Sequence, residues 1–146
     1  MTIEAGKKYL TDYSRRTQPI LESFLNEKSK EASSIGPMAV EVLKRFRTIA
    51  IGGKRLRGAL FCLAYEAAGG TVTAEILRAS LSVECFQTGG LVQDDIVDQD
   101  ERRRGVPSLH IQLQSLSRNN PRFGESLAIF MGDIAMFWAY DLLAQS

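Results

Sequence analysis

Hydrophobic positions along this chain recur every three to four residues, the helical period, and nowhere alternate with polar ones over the length of a strand. After Thr17, Pro19 suits the first turn of a helix whose apolar face is Ile20, Leu21, Phe24 and Leu25, ending in the polar run NEKSKEASS. Gly36 and Pro37 punctuate the next start, and Met38, Val42, Leu43, Phe46, Ile49 and Ala50 carry a second helix to Gly52 and Gly53. A third runs from Lys54 through Leu60, Phe61, Leu63 and Ala64 to Gly69 and Gly70. Thr73 is placed to cap a long fourth helix, from near Ala74 to near Asp98, and the loop DERRRGVP follows it. SLHIQLQ predicts a short helical stretch. Asn120 before Pro121 opens a last helix, still apolar at Phe137, Trp138, Tyr140, Leu142 and Leu143, with neither Gly nor Pro to close it. The pattern predicts an all-α helical bundle over residues 1–146, without repeat, linker or internal boundary. The unclosed last helix suggests a truncated bundle, the N-terminal part of a single longer domain.

Composition narrows the classes. With 18 Lys plus Arg against 17 Asp plus Glu the net charge is +1, which gives no bulk attraction to nucleic acid. A chain that is 45% hydrophobic and 24% charged lies far from the signature of disorder. The apolar stretch Leu127 to Tyr140 is shorter than the roughly 20 residues of a membrane span and contains Asp133, so no transmembrane segment is expected. The start MTIEAGKKYL has no apolar core behind its charges, which favours the cytoplasm over secretion. Cys62 and Cys85 are far apart in apolar segments and read as reduced core residues. A lone His110 excludes zinc sites that need two imidazoles, so any metal must be held mainly by carboxylates.

Carboxylates are what the fourth helix supplies. At about 100° per residue, Glu84, Gln87, Leu91, Asp94, Asp95 and Asp98 fall within one stripe. Asp94 and Asp98 are one turn apart, with Cβ atoms about 5 to 6 Å from one another, a spacing that suits bridging Mg²⁺. Negative charge at a helix C-terminus opposes the macrodipole, so a cation should occupy the site. Directly afterwards come Arg102, Arg103 and Arg104 before Gly105, a loop able to fold back with groups that fork onto phosphate oxygens. Upstream, Gly52 and Gly53 lead into Lys54, Arg55 and Arg57 at a helix start, where free amides already favour an anion. Two basic clusters and one acidic cluster beside an apolar, glycine-containing wall ask for two diphosphates, Mg²⁺ and a greasy tail.

GGKRLR, VECFQ, DDIVDQDERRRG and the GD of Gly132 and Asp133, in this order and spacing, resemble the N-terminal half of a trans-isoprenyl diphosphate synthase, over about Met38 to Leu143. The resemblance implies the isoprenoid synthase bundle and a chain-elongating prenyltransferase that condenses isopentenyl diphosphate with an allylic diphosphate. Asp94 and Asp98, with Asp95 in support, match the first aspartate-rich motif and would hold Mg²⁺. Arg103 would contact the allylic diphosphate. Lys54, Arg57 and Arg104 match positions that grip isopentenyl diphosphate, with Gln87 where many members carry His. Arg102 receives no role. A second aspartate-rich motif, which the family places on a later helix, does not occur in these residues, so this chain alone is expected to be inactive.

In such synthases the growing tail runs along the helix below Asp94, past Gly90, Gly89 and Phe86. Two glycines would leave the upper depth open, and Phe86, about 12 Å down, would form a floor, which favours geranylgeranyl diphosphate or longer. A class I terpene cyclase would share the aspartates but need no second diphosphate site. A non-catalytic subunit of a heteromeric synthase could dispense with the aspartates, and a plain helical interaction module would leave both basic clusters unexplained. Part of a bundle leaves apolar faces bare, so self-association as a homodimer is expected.

Overall fold

A computed structural model describes residues 2–146, and within them the chain is all-α. Six helices, α1 (Ile3–Ile35), α2 (Pro37–Ala50), α3 (Leu56–Ala67), α4 (Ala74–Val97), α5 (Leu109–Gln114) and α6 (Pro121–Ala144), are joined by short turns. Between α4 and α5 lies a small hairpin, β1 (Arg102–Arg103) with β2 (Val106–Pro107). The alternation rule misses strands this short, because two residues cannot display a period.

Two helix starts follow their cap residues. Thr73 Oγ1 accepts the amide N–H of Ile76, and Asn120 Oδ1 accepts that of Phe123, each satisfying a donor that has no partner within its helix. The first helix departs from the sequence reading. Pro19 does not open it but lies inside a 33-residue α1 whose N-cap is Thr2. Proline there removes one rung of the ladder. The helix continues because both sides of the break are packed: Tyr9, Leu10 and Tyr13 against Ala59, Cys62 and Leu77, and Leu21, Phe24 and Leu25 in the main core. Arg55 reaches the same region, donating from Nη1 to the Ser14 carbonyl at 3.3 Å.

α4 packs most extensively on α6. α6 is long and apolar enough to cross a membrane by length and composition, more than its Leu127 to Tyr140 stretch indicates. Its inner face, Gly124, Ala128, Met131, Ala135, Ala139 and Leu142, is nevertheless buried in the bundle. Asp133 is exposed and accepts a hydrogen bond from Gln93 at 2.7 Å. Trp138 meets Phe24 and Phe46 edge to face, and Lys28 crosses from α1 to Asp141 at 2.9 Å. Burial disfavours the Lys28 charge, but the hydrogen bonds to Asp141 and Glu31 outweigh it and its pKa lies above the usual value. Cys62 and Cys85 are free and buried, and burial pushes the Cys85 thiol up to about 12.

Candidate active site

The C-terminal end of α4 separates its three carboxylates. Asp94 and Asp98 are exposed, with Asp98 as the helix C-cap, whereas Asp95 is fully buried. Arg103 explains the burial: it pairs with Asp95 Oδ1 through Nε and Nη2 and reaches Asp100 Oδ2 at 3.1 Å. The Asp95 hydrogen bond is the main reason the Arg103 guanidinium is held above its usual pKa. Asp95 Oδ2 is left buried without a hydrogen-bond partner. The three aspartates thus do not form one equivalent cluster, and among the described residues no group of three acidic, His or Cys side chains converges as a metal cage. Asp95 shares a helix end with the other two because it is adjacent in sequence. Its side chain faces inward because a buried helix position and a nearby guanidinium compensate each other.

Arg103 can reach back because the loop is a tight hairpin, not a flexible strap. Arg103 pairs with Val106, and the two residues between them, Arg104 and Gly105, both have positive φ, at 53° and 84°, as a type I′ turn requires. Arg102, without a role in the sequence reading, donates to the Gly105 carbonyl at 2.7 Å and closes the turn. Ser108 is buried at the hairpin base, where its N–H donates to the Glu101 carbonyl at 2.9 Å.

Arg104 connects the hairpin to the glycine pair before α3. Its Nη1 donates to the Ile49 carbonyl at 2.9 Å and also to that of Gly52. A Cβ on Gly53, where φ is 100°, would stand 2.6 Å from Arg104 Cζ. Nε and Nη2 stay available as donors, since an arginine has five N–H groups. Partial burial holds the Arg104 guanidinium below its ordinary pKa.

At the start of α3 the basic run divides. Lys54 and Arg57 are exposed and form no ion pair among the described residues. Arg55 turns inward, donating to Ser14, Thr17, Gln18 and Ile51, and burial lowers its pKa. It is a structural cation. One amide of the helix start is already engaged, because Glu84 Oε1 accepts the Gly58 N–H at 2.7 Å. Glu84 had only its place in the α4 stripe to mark it, and a carboxylate capping another helix leaves no local sequence signal. Gln87 lies half-buried one turn along α4 from Glu84.

The glycine pair of α4 faces α6. Gly89 is buried against α6, and Gly90 is half-buried beneath it. Phe86, at 50% exposure, borders a groove of about 250 Å³ with Val83, Tyr140 and Leu143. α6 closes on Gly89, whereas a Cβ on Gly90 would meet only Met136 Cε, at 3.9 Å.

The chain is 37% identical over 94 residues to a geranylgeranyl diphosphate synthase of Methanosarcina mazei, covering 64% of this chain and 26% of that protein. It is 32% identical over 112 residues to the heterodimeric geranylgeranyl pyrophosphate synthase large subunit 1, chloroplastic, of Arabidopsis thaliana, covering 75% of this chain and 27% of that one. The crystal structure of a geranylgeranyl pyrophosphate synthase from Corynebacterium glutamicum, complexed with isoprenyl diphosphate and magnesium, superposes with a TM-score of 0.76 at 27% identity. It covers 94% of this chain, which spans 41% of that one. The chain therefore spans about a quarter of these two curated relatives. The family profile of polyprenyl synthetase matches residues 40–146, which takes in Lys54, Arg57, the α4 aspartates and the hairpin, and the chain belongs to that family.

Proposed function

We propose that this chain supplies the first half of the catalytic centre of a chain-elongating prenyltransferase, within a single polyprenyl synthetase domain. The substrates are an allylic diphosphate and isopentenyl diphosphate, and the product is geranylgeranyl diphosphate or longer. The observation that carries the reading is the hairpin. Arg103 on Asp95 and Arg104 on the Ile49 and Gly52 carbonyls bring both basic clusters to the end of α4 that carries Asp94 and Asp98.

The donor set fits Mg²⁺, a hard cation that takes oxygen ligands and often binds through one or two carboxylates together with substrate phosphates. Asp94 and Asp98 would hold it, and Asp95 Oδ2, buried at the same helix end without a hydrogen-bond partner, is an acceptor left unsatisfied there. The chemistry it supplies when bound is neutralisation of the departing diphosphate. Asp95 fixes Arg103, whose remaining donors face the allylic diphosphate. Lys54, Arg57, Gln87 and the free donors of Arg104 grip isopentenyl diphosphate. Held in this way, two anions that repel one another are oriented for reaction. The allylic C–O bond breaks with its electron pair leaving on diphosphate. The isopentenyl double bond then forms the new C–C bond, and the proton lost afterwards passes to that diphosphate. Apolar side chains between α4 and α6 exclude water from the cation. Exposed Lys54 and Arg57 favour this reading over a terpene cyclase, which has no second diphosphate to hold. The exposed outer face of α6, with Phe130 at 64% and Phe137 at 72%, is the surface on which a homodimer would form.

The test uses the protein encoded by the full reading frame that contains this chain, because the 146 residues alone are expected to give no product. Asp94→Ala or Asp98→Ala should abolish condensation while the helical circular dichroism persists. Lys54→Ala or Arg57→Ala should raise KM for isopentenyl diphosphate at least tenfold more than KM for the allylic substrate. Near-normal turnover in either aspartate variant would overturn the proposal.

A further inference from the structure

We infer that Glu84 of α4 is a positioning residue for isopentenyl diphosphate, the counter-charge that keeps the Arg104 guanidinium at its seat and the anchor of the backbone beside Arg57; this rests on the prenyltransferase reading above. Arg104 and Arg55 line one small cavity, of about 20 Å³, whose wall is otherwise largely apolar, with Phe46 and Leu81 in it. Two like charges in such a setting repel more strongly than they would in water. Arg55 cannot yield. It is buried, its Nη1 and Nη2 are bound to α1 and to the Ile51 carbonyl, and its Nε has no partner. The repulsion therefore falls on Arg104, an exposed residue seated by the Ile49 and Gly52 carbonyls.

Among the described residues that line the cavity, Glu84 is the sole acid. Burial lowers the Arg104 pKa, and the Glu84 charge is the strongest influence opposing that. The two form no direct ion pair among the described residues, so Glu84 acts on Arg104 across the cavity. Its other contact is direct. Glu84 Oε1 accepts the N–H of Gly58, the residue after Arg57, at 2.7 Å. One half-buried carboxylate thus connects α4 to the hairpin through Arg104 and to the start of α3 through Gly58. A carboxylate repels a diphosphate, so Glu84 serves the substrate through these cations and not by touching it.

Steady-state kinetics on the protein of the full reading frame, with each substrate varied in turn, tests this. Glu84→Gln keeps the shape and the acceptor for Gly58 and removes only the charge. It should raise KM for isopentenyl diphosphate about fivefold, with kcat and KM for the allylic substrate within about twofold of wild type. Glu84→Ala loses both contacts and should raise it about tenfold or more. In an Arg104→Ala background Glu84→Gln should add little, since the charge has lost the group it holds. Thermal unfolding reports packing separately, and the near-isosteric Gln variant keeps the test valid should Glu84→Ala unfold. An unfolding midpoint that falls in Glu84→Gln without a selective change in KM overturns the inference, as does a full additional effect in the Arg104→Ala background. Wild-type protein that condenses nothing would overturn the prenyltransferase reading and this inference with it. Wild-type protein that condenses normally, with Glu84→Gln matching it in KM for isopentenyl diphosphate, overturns the inference alone.

Discussion

Two of the three glycine pairs of this chain make room for different kinds of neighbour. Gly52–Gly53 accommodates the flexible end of a side chain, the Arg104 guanidinium, whereas Gly89–Gly90 accommodates an entire helix, with the Gly132 carbonyl against one glycine and Met136 against the other. The first contact belongs to a loop that positions cations; the second sets how closely two core helices approach. A yielding neighbour and an unyielding one should respond differently to the same added methyl group.

Gly89→Ala is the strongest way to break this comparison. Its Cβ would lie 2.5 Å from a backbone oxygen inside a packed helix, which cannot move without the helix. Overpacking of this kind costs about 1 to 3 kcal/mol and outweighs the helix-propensity gain of roughly 0.5 to 1 kcal/mol. Urea denaturation should show a net loss of about 1 to 2 kcal/mol. Gly53→Ala comes next. Arg104 can swing aside, so the cost is mainly the φ of 100°, roughly 1 kcal/mol or somewhat more. The larger signature should be kinetic, with KM for isopentenyl diphosphate rising as Arg104 loses its seat. Gly90→Ala should have the smallest effect and the opposite sign. Its Cβ would make only an ordinary 3.9 Å contact, so the variant should gain up to about 0.5 to 1 kcal/mol. Equal losses at Gly89 and Gly90 would abolish the distinction drawn between them.

What was legible in the sequence was whatever acts within one helix. Thr73 and Asn120 cap the helices they were expected to cap, Gly69 and Gly70 follow α3, and Asp94 and Asp98 share the exposed end of α4. What escaped depended on a partner distant in sequence. Asp95 and Arg55 resemble their neighbours in type and spacing, yet one is buried on Arg103 and the other on α1. Glu84 caps a helix 26 positions earlier, and periodicity has no means of signalling that. Pro19 failed for the same reason: local preference favours a helix start there, and packing of Tyr13 on one side and Leu21 on the other overrides it. The hairpin escaped because its signal is turn geometry at Arg104 and Gly105, which the charge of three arginines obscured.

Pro19 has a consequence for how the molecule breathes. Upstream of it, α1 packs with α3 in a small cluster of Tyr13, Ala59, Cys62 and Leu77; downstream, α1 belongs to the main core with α2, α4 and α6. A missing rung at the junction makes α1 a single helix in outline but two cooperative units in energy. Amide hydrogens between Tyr9 and Tyr13 should exchange through a subglobal opening shared with α3, while those from Phe24 onward await global unfolding. Arg55, clasped to the Ser14, Thr17 and Gln18 side of that junction, would be released by the same opening, so the loop that presents Lys54 and Arg57 is only as steady as the small cluster beneath it.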